Sequence, residues 1–245
     1  VTHLYLIRHG EAVANVEPII GGMKGDAGLT PLGIAQAEAL RDRLATTHEI
    51  PADVLIASTL PRARQTAEII APALGLPIIL DDSVQELGVG EADGLHVGEF
   101  KAKFGMPDMR LEPFRPLAPG GEFWAQFVLR VAVALDRIAR EHADKTIVVV
   151  CHGGVIDSSF LIFFGMNVFS FPPAELRTHN TSITHWEREA REDGIPRWRL
   201  LGYNDDLHLR QIGRNDPIRW NTVPTANAAE EDHPAVPLPS EDQEE

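Results

Sequence analysis

Three short tracts combine the residue types that phosphoryl chemistry needs: Arg8-His9-Gly10-Glu11, Ser58-Thr59-Leu60-Pro61-Arg62 and His152-Gly153-Gly154. A guanidinium is a planar, permanently charged fork that matches phosphoryl oxygens. Gly10, Gly153 and Gly154 allow backbone to approach a ligand closely. Arg62 falls near a helix start, where free N–H groups and the helix dipole favour an anion. A neutral imidazole, with a pKa of ~6.5, is a competent nucleophile near pH 7. Attack on phosphorus gives a phosphohistidine that water opens, while a second, protonated histidine offsets charge on the equatorial oxygens. Arg8, His9, Arg62 and His152 thus fit one dianionic phosphate, provided that distant stretches of chain meet.

The surrounding pattern supplies a means for them to meet. His3–Ile7, Asp53–Ala57, Ile78–Leu80 and Thr146–Cys151 read as short apolar strands, with Ser182–Trp186 and Arg197–Tyr203 as final strands around a turn at Arg191–Pro196. Between them lie helical patterns. One is capped by Thr30 with Pro31 at its first position, and Ile34, Ala37, Leu40 and Leu44 share a face. Others run from Pro61 to Leu74, closed by Gly75, from Glu122 to His142, and from Val155 to Phe164. Alternating strands and helices predict an α/β three-layer sandwich, a mostly parallel central sheet with helices on both faces. In such sheets sites form beyond the strand C-termini, where all three tracts fall. The stretch 88–121 shows no clear period and is expected to form a lid-like insertion over the site.

Composition narrows the function classes. The chain has 245 residues, 22 basic against 36 acidic, and a formal charge of −14, which argues against a nucleic-acid or anionic-membrane surface. The lone Cys151 excludes an internal disulfide and a multi-cysteine zinc site and is expected to be buried and inert. No apolar run approaches a membrane span and no signal-peptide layout is visible, so a cytoplasmic protein is expected. Residues 224–245 hold seven acidic residues and four prolines without Lys or Arg. That segment reads as an unstructured tail, an acidic docking arm being the alternative, after a single domain over 1–223.

The ordered set of motifs resembles the histidine phosphatase superfamily, also called phosphoglycerate mutase-like. The resemblance runs over about residues 3–210. It is carried by Leu6-Ile-Arg8-His9-Gly10-Glu11, Leu29-Thr-Pro-Leu-Gly33, Ser58-Thr-Leu-Pro-Arg62-Ala-Arg-Gln65-Thr66-Ala67, Pro119-Gly-Gly121-Glu122, Val150-Cys-His152-Gly153-Gly154, Asn180-Thr-Ser182 and Asn204-Asp-Asp-Leu-His208. It implies a phosphorylated nucleophile at His9 and a phosphate pocket of Arg8, Arg62 and His152, with Asn15 and Gly153 as further contacts. It also implies a proton donor at Glu86, in Glu86-Leu-Gly-Val-Gly90-Glu-Ala-Asp93-Gly94. Glu91 is the rival acid, and Glu11 is read as an orienter. Ala12 stands where many relatives carry Ser or Thr, which predicts altered affinity rather than lost chemistry.

The resemblance implies a metal-independent phosphomonoesterase without cofactor that acts on a small-molecule phosphate ester, such as a phosphosugar or phosphoglycerate derivative. No nucleic acid or membrane partner is expected, and a homodimer is left open. A mutase is the alternative, disfavoured because the relevant segments read Ala12-Val-Ala-Asn15 and Gly21-Gly-Met-Lys-Gly25 and because 88–121 offers only Arg110 and Arg115 for a substrate carboxylate. A silent phospho-ligand binder is the third reading. His3, His48, His96, His142 and His233 are read as structural; His179, His185 and His208 stay ambiguous. No His-x-His or His-x-x-x-His spacing points to a metal.

Overall fold

The computed structural model describes residues 1–169, 174–192, 194–213 and 219–226. Six strands form one sheet: β1 (Thr2–Arg8), β2 (Val54–Ser58), β3 (Ile78–Asp81), β4 (Thr146–Cys151), β5 (Ile183–Glu189) and β6 (Arg197–Asp205), in the order β3-β2-β4-β1-β5-β6. The first four in that order run parallel, and β5 and β6 are antiparallel additions. β2 and β4 are buried at every position, as strands covered on both faces must be.

Helices cover both faces. The chain contributes α1 (Val13–Val16), α2 (Pro31–Thr47), α3 (Pro61–Leu74), α4 (Val97–Phe104), α5 (Trp124–Glu141) and α6 (Gly153–Phe163). On one face Leu4, Leu6, Ile56, Val149 and Trp186 pack against Phe127, Val131, Leu135 and Ile138 of α5 and Ile156 and Phe160 of α6. On the other, Ile7, Leu55, Val148 and Val150 meet Leu40 and Leu44 of α2 and Ala63, Ala67 and Ile70 of α3. Each fully buried Leu, Ile or Phe of these layers contributes roughly 1.5–3 kcal/mol. The three-layer sandwich follows from the alternation in the sequence.

The helix termini obey local chemistry. The Thr30 hydroxyl accepts from Gly33 N–H at 3.0 Å and Pro31 opens α2; Gly75 closes α3 at φ 67°. Ile34, expected on the buried face of α2, is 43% exposed; Gly33, Gln36, Ala37, Leu40 and Leu44 form that face instead. The face begins at Gly33 because its missing Cβ lets α2 lie against the Glu11 carbonyl, 2.0 Å from where a Cβ would stand. The long helix starts at Trp124 rather than Glu122, whose carboxylate is used elsewhere.

The stretch 88–121 is more ordered than its sequence suggests. A turn at Gly90–Ala92 and α4 bring Ala92, Val97, Phe100, Leu117 and Ala118 together with Ile20 and Val223 in a third, smaller cluster. Val97, Phe100 and Phe104 share helical spacing, but over eight residues between glycines the period is too short to read, and the cap is an unusual one, His96 Nδ1 accepting from Gly98 N–H at 3.0 Å. Lys101 donates to the Val223 carbonyl, so residues just before the acidic segment belong to this cluster. The expected tail beyond residue 226, with His233, lies outside the described residues.

Candidate active site

The sheet register brings the three tracts together. Arg8 pairs with Cys151 and Ala57 with Val150, so the ends of β1, β4 and β2 are side by side with β4 central. His9 and His152 each follow directly. The His9 N–H donates to the Cys151 carbonyl at 3.0 Å, and the two imidazole centroids are 5.2 Å apart. Arg8, His9, Asn15, Arg62, Glu86 and Gly153 all line one cavity of about 410 Å³. His152 sits fully buried behind it, against His9.

His9 is 3% exposed and held in one tautomer. Its Nδ1 lies 2.7 Å from the Gly10 carbonyl, which can only accept, so Nδ1 carries the proton and Nε2 keeps its lone pair. Arg62 Nε donates to that Nε2 at 3.1 Å. Burial, then the cations Arg62 and Arg8, hold the His9 pKa well below its ordinary value. The Asn180 amide, in the motif preceding β5, donates to the His9 carbonyl at 2.9 Å and braces its backbone.

Without a bound anion, His152 is held away from the protonated form expected of it. Burial, followed by Arg62, His9, Arg8 and Arg130, holds its pKa well below the ordinary value, so the imidazole is neutral near pH 7. A buried ring beside three guanidiniums cannot readily take a further positive charge. Its Nε2 shares a 2.7 Å hydrogen bond with Ser58 Oγ, while Nδ1 is buried without a partner.

Arg62 is fixed by a residue with no signal in the sequence. Asp26, in the loop before α2 and with its side chain fully buried, accepts from the Arg62 guanidinium at 2.8 Å and from its backbone N–H at 3.2 Å. The free N–H expected at the start of α3 is thus taken by a carboxylate. Arg62 also donates to the Gly21 carbonyl at 3.0 Å. Arg8 donates to the Thr178 carbonyl and keeps a buried, unpartnered Nε. Asn15 Oδ1 accepts from Ala12 N–H at 3.0 Å, which leaves Nδ2 as the end for an anion.

Glu86 approaches from the segment after β3. Its carboxylate accepts from Gly154 N–H and Leu87 N–H, both at 3.0 Å. A Cβ on Gly154 would stand 2.2 Å from Glu86 Oε1, so this glycine makes room for the acid. Gly10 has another use than expected: its missing Cβ would meet the Gly33 carbonyl at 2.5 Å, so it serves the packing of α2. Arg130 of α5 holds the Glu86 segment by donating to the carbonyls of Ser83, Gln85 and Glu86. Glu122 grips the same guanidinium at 2.6 Å and accepts from Gly88 N–H; burial raises its pKa, but these bonds outweigh that and hold it below the usual carboxylate range.

Other candidates fall away from the cavity. Glu91 pairs with Lys103 in solvent, Arg64 with Glu68, Arg110 with Asp108 and Arg115 with Glu112. Glu11 is buried and accepts from the Thr30 hydroxyl at 2.7 Å. Cys151 is buried, and burial raises its thiol pKa. Among the described residues no three His, Cys, Asp or Glu side chains gather as a metal ion would need. Asp157 on α6, Ile20 and Trp220 near the end of the described chain also line the cavity and had no reading in the sequence.

Comparison with known proteins gives the family and the fold. The chain is 30% identical to a 2,3-bisphosphoglycerate-dependent phosphoglycerate mutase of a Methylobacterium strain, covering 71% of this chain and 86% of that one. It is 28% identical to a metal-independent phosphoserine phosphatase of Arabidopsis thaliana, covering 87% and 85%. The solved mycobacterial glucosyl-3-phosphoglycerate phosphatase in complex with VO3 superposes with a TM-score of 0.68 at 25% identity, covering 83% of this chain and 99% of that one. Residues 4–205, a span that contains both imidazoles and both guanidiniums of the site, match the histidine phosphatase superfamily (branch 1), and the chain belongs to that superfamily.

Proposed function

We propose that the protein hydrolyses small-molecule phosphate monoesters through a phosphohistidine on His9, with Glu86 as proton donor. The observation that carries this is the fixed tautomer of His9, a cavity-lining imidazole whose unprotonated Nε2 accepts from Arg62 Nε, a donor that phosphoryl oxygens would take over. Arg8 Nε and His152 Nδ1, both buried without partners, are groups that phosphoryl oxygens would satisfy. Nε2 attacks phosphorus and the ester P–O bond breaks. The leaving oxygen takes a proton from Glu86. In the second half Glu86 accepts a proton from water, the oxygen attacks phosphorus, and the N–P bond breaks to release phosphate and His9. Arg8 and Arg62 offset the charge that develops on the equatorial oxygens, and neutral His152 supports them as a hydrogen-bond donor.

Hydrolysis is favoured over mutase chemistry by the charge of the cavity. Among the described residues its lining cations are Arg8 and Arg62 alone, and both are engaged at the phosphate end. A cytoplasmic setting goes with this reading and is supported by the lone cysteine; among the described residues no helix is long and apolar enough to cross a membrane. Rapid quenching during turnover of a phosphorus-labelled monoester is expected to trap acid-labile, base-stable label on the protein. Its absence from a turning-over enzyme would remove the intermediate.

A further inference from the structure

Asp157 projects from α6 into the cavity that holds His9 and Glu86. Its Oδ1 is buried and has no hydrogen-bond partner, a costly arrangement for an acceptor that no ligand uses. Apolar side chains of Leu87, Val89, Met109, Leu117, Trp124 and Trp220 line the same cavity. Such a wall with a single free acceptor accommodates a small organic group and fixes its orientation through one donor. Two carboxyls, Glu86 and Asp157, line this part of the cavity. A second anion on the substrate would meet both of them.

Resting on the phosphatase reading, we propose that Asp157 is a specificity residue: the cavity takes a leaving alcohol that places an ammonium or hydroxyl donor on Asp157 Oδ1 and carries no second acidic group. Amino-alcohol phosphates fit best and polyol phosphates next. Carboxylated phosphoesters fit worst. The charge state of Asp157 supports this order. Burial, then Glu86, raises its pKa to about 7, with Glu175 adding to the rise and Arg8 and a hydrogen bond from Thr178 opposing it. The Tyr203 phenol of β6 also faces it and is itself raised, chiefly by burial. The carboxyl therefore ionises across neutral pH, where it best holds a cation.

Four substrates of nearly equal size test this: 2-aminoethyl, 2-hydroxyethyl, propyl and carboxymethyl phosphate. The expected order of kcat/KM is the order given. The aminoethyl-to-propyl ratio is expected to be about tenfold at pH 8, the scale of a charge-assisted hydrogen bond, and to shrink toward pH 5.5 as Asp157 takes up its proton. Ratios cancel the fraction of folded enzyme, and each rate is expressed per phosphate dianion because the ammonium lowers the second phosphate pKa of its own ester. Asp157→Asn is expected to bring the aminoethyl-to-propyl ratio within about twofold. Unchanged ratios in that variant, with all four rates reduced alike, would assign Asp157 to support of Arg8 and overturn the proposal. So would preference for the carboxymethyl ester. If the wild-type protein turned over none of the four and also left 4-nitrophenyl phosphate intact, the phosphatase reading itself would fall, and this inference with it.

Discussion

The two ends of the cavity are built by different physics. At the phosphate end, side chains issue from three parallel strand termini whose register is set by hydrogen bonds, and nearly every polar atom is oriented by a second group: Gly10 for His9, Ser58 for His152, Asp26 for Arg62. At the leaving-group end much of the wall comes from loop residues of 86–121, joined by Trp124 of α5, Asp157 of α6 and Trp220. The first end has little freedom to vary because in-line displacement demands fixed geometry. The second can change with the substrate.

The contrast can be broken most directly at His9. His9→Ala is expected to lose turnover by about 10⁴-fold or more while the chain stays folded, since the nucleophile has no substitute. Wild-type activity in that variant would disconnect the phosphate end from the chemistry. Glu86→Gln is expected to reduce hydrolysis of alkyl phosphates by about 10²–10⁴-fold and of 4-nitrophenyl phosphate far less, because a good leaving group needs no proton. Equal losses on both esters would move Glu86 from proton donor to a positioning role.

A smaller effect concerns stability against pH. His9 and His152 have folded-state pKa values well below their ordinary value of 6.5, and His185 and His208 are lowered to about 4, in each case mainly by burial. In the unfolded chain these rings take up protons as pH falls below 6.5, while in the folded protein they do not until much lower. Stability is therefore complete above about pH 7 and declines as pH falls through 6.5, by up to roughly 1.4 kcal/mol per pH unit for each ring. Asp157, raised to about 7, works in the opposite direction and offsets one ring. Urea midpoints between pH 8 and 5 are expected to fall; a flat profile would contradict the neutral imidazoles. The smallest effect is expected from removing residues 227–245, which should leave turnover of 4-nitrophenyl phosphate unchanged. Removal from residue 219 onward is expected to weaken it, because Trp220 lines the cavity and Val223 packs with Phe100.

How much was legible in the sequence depends on the range of the interactions. Strands β1, β2 and β4, the start of α2 and both ends of α3 followed from local rules, since apolar runs, Thr-Pro caps and a closing glycine act on their own neighbours. The residue types at 8, 9, 62, 86 and 152 showed what chemistry was available, and the motif order indicated how they would meet. Other features were decided only in three dimensions. Asp26 reaches Arg62 across 36 positions, Arg130 reaches the Glu86 segment across 44, and Asp157 acquires its character from burial beside groups on other elements. The charge state of His152 belongs with these, because desolvation and the field of neighbouring guanidiniums exist only once the chain is packed. Sequence thus determined the reagents and the scaffold that carries them; tertiary structure decided their protonation, their supports and the shape of the space the leaving group enters, because those depend on which distant atoms become neighbours.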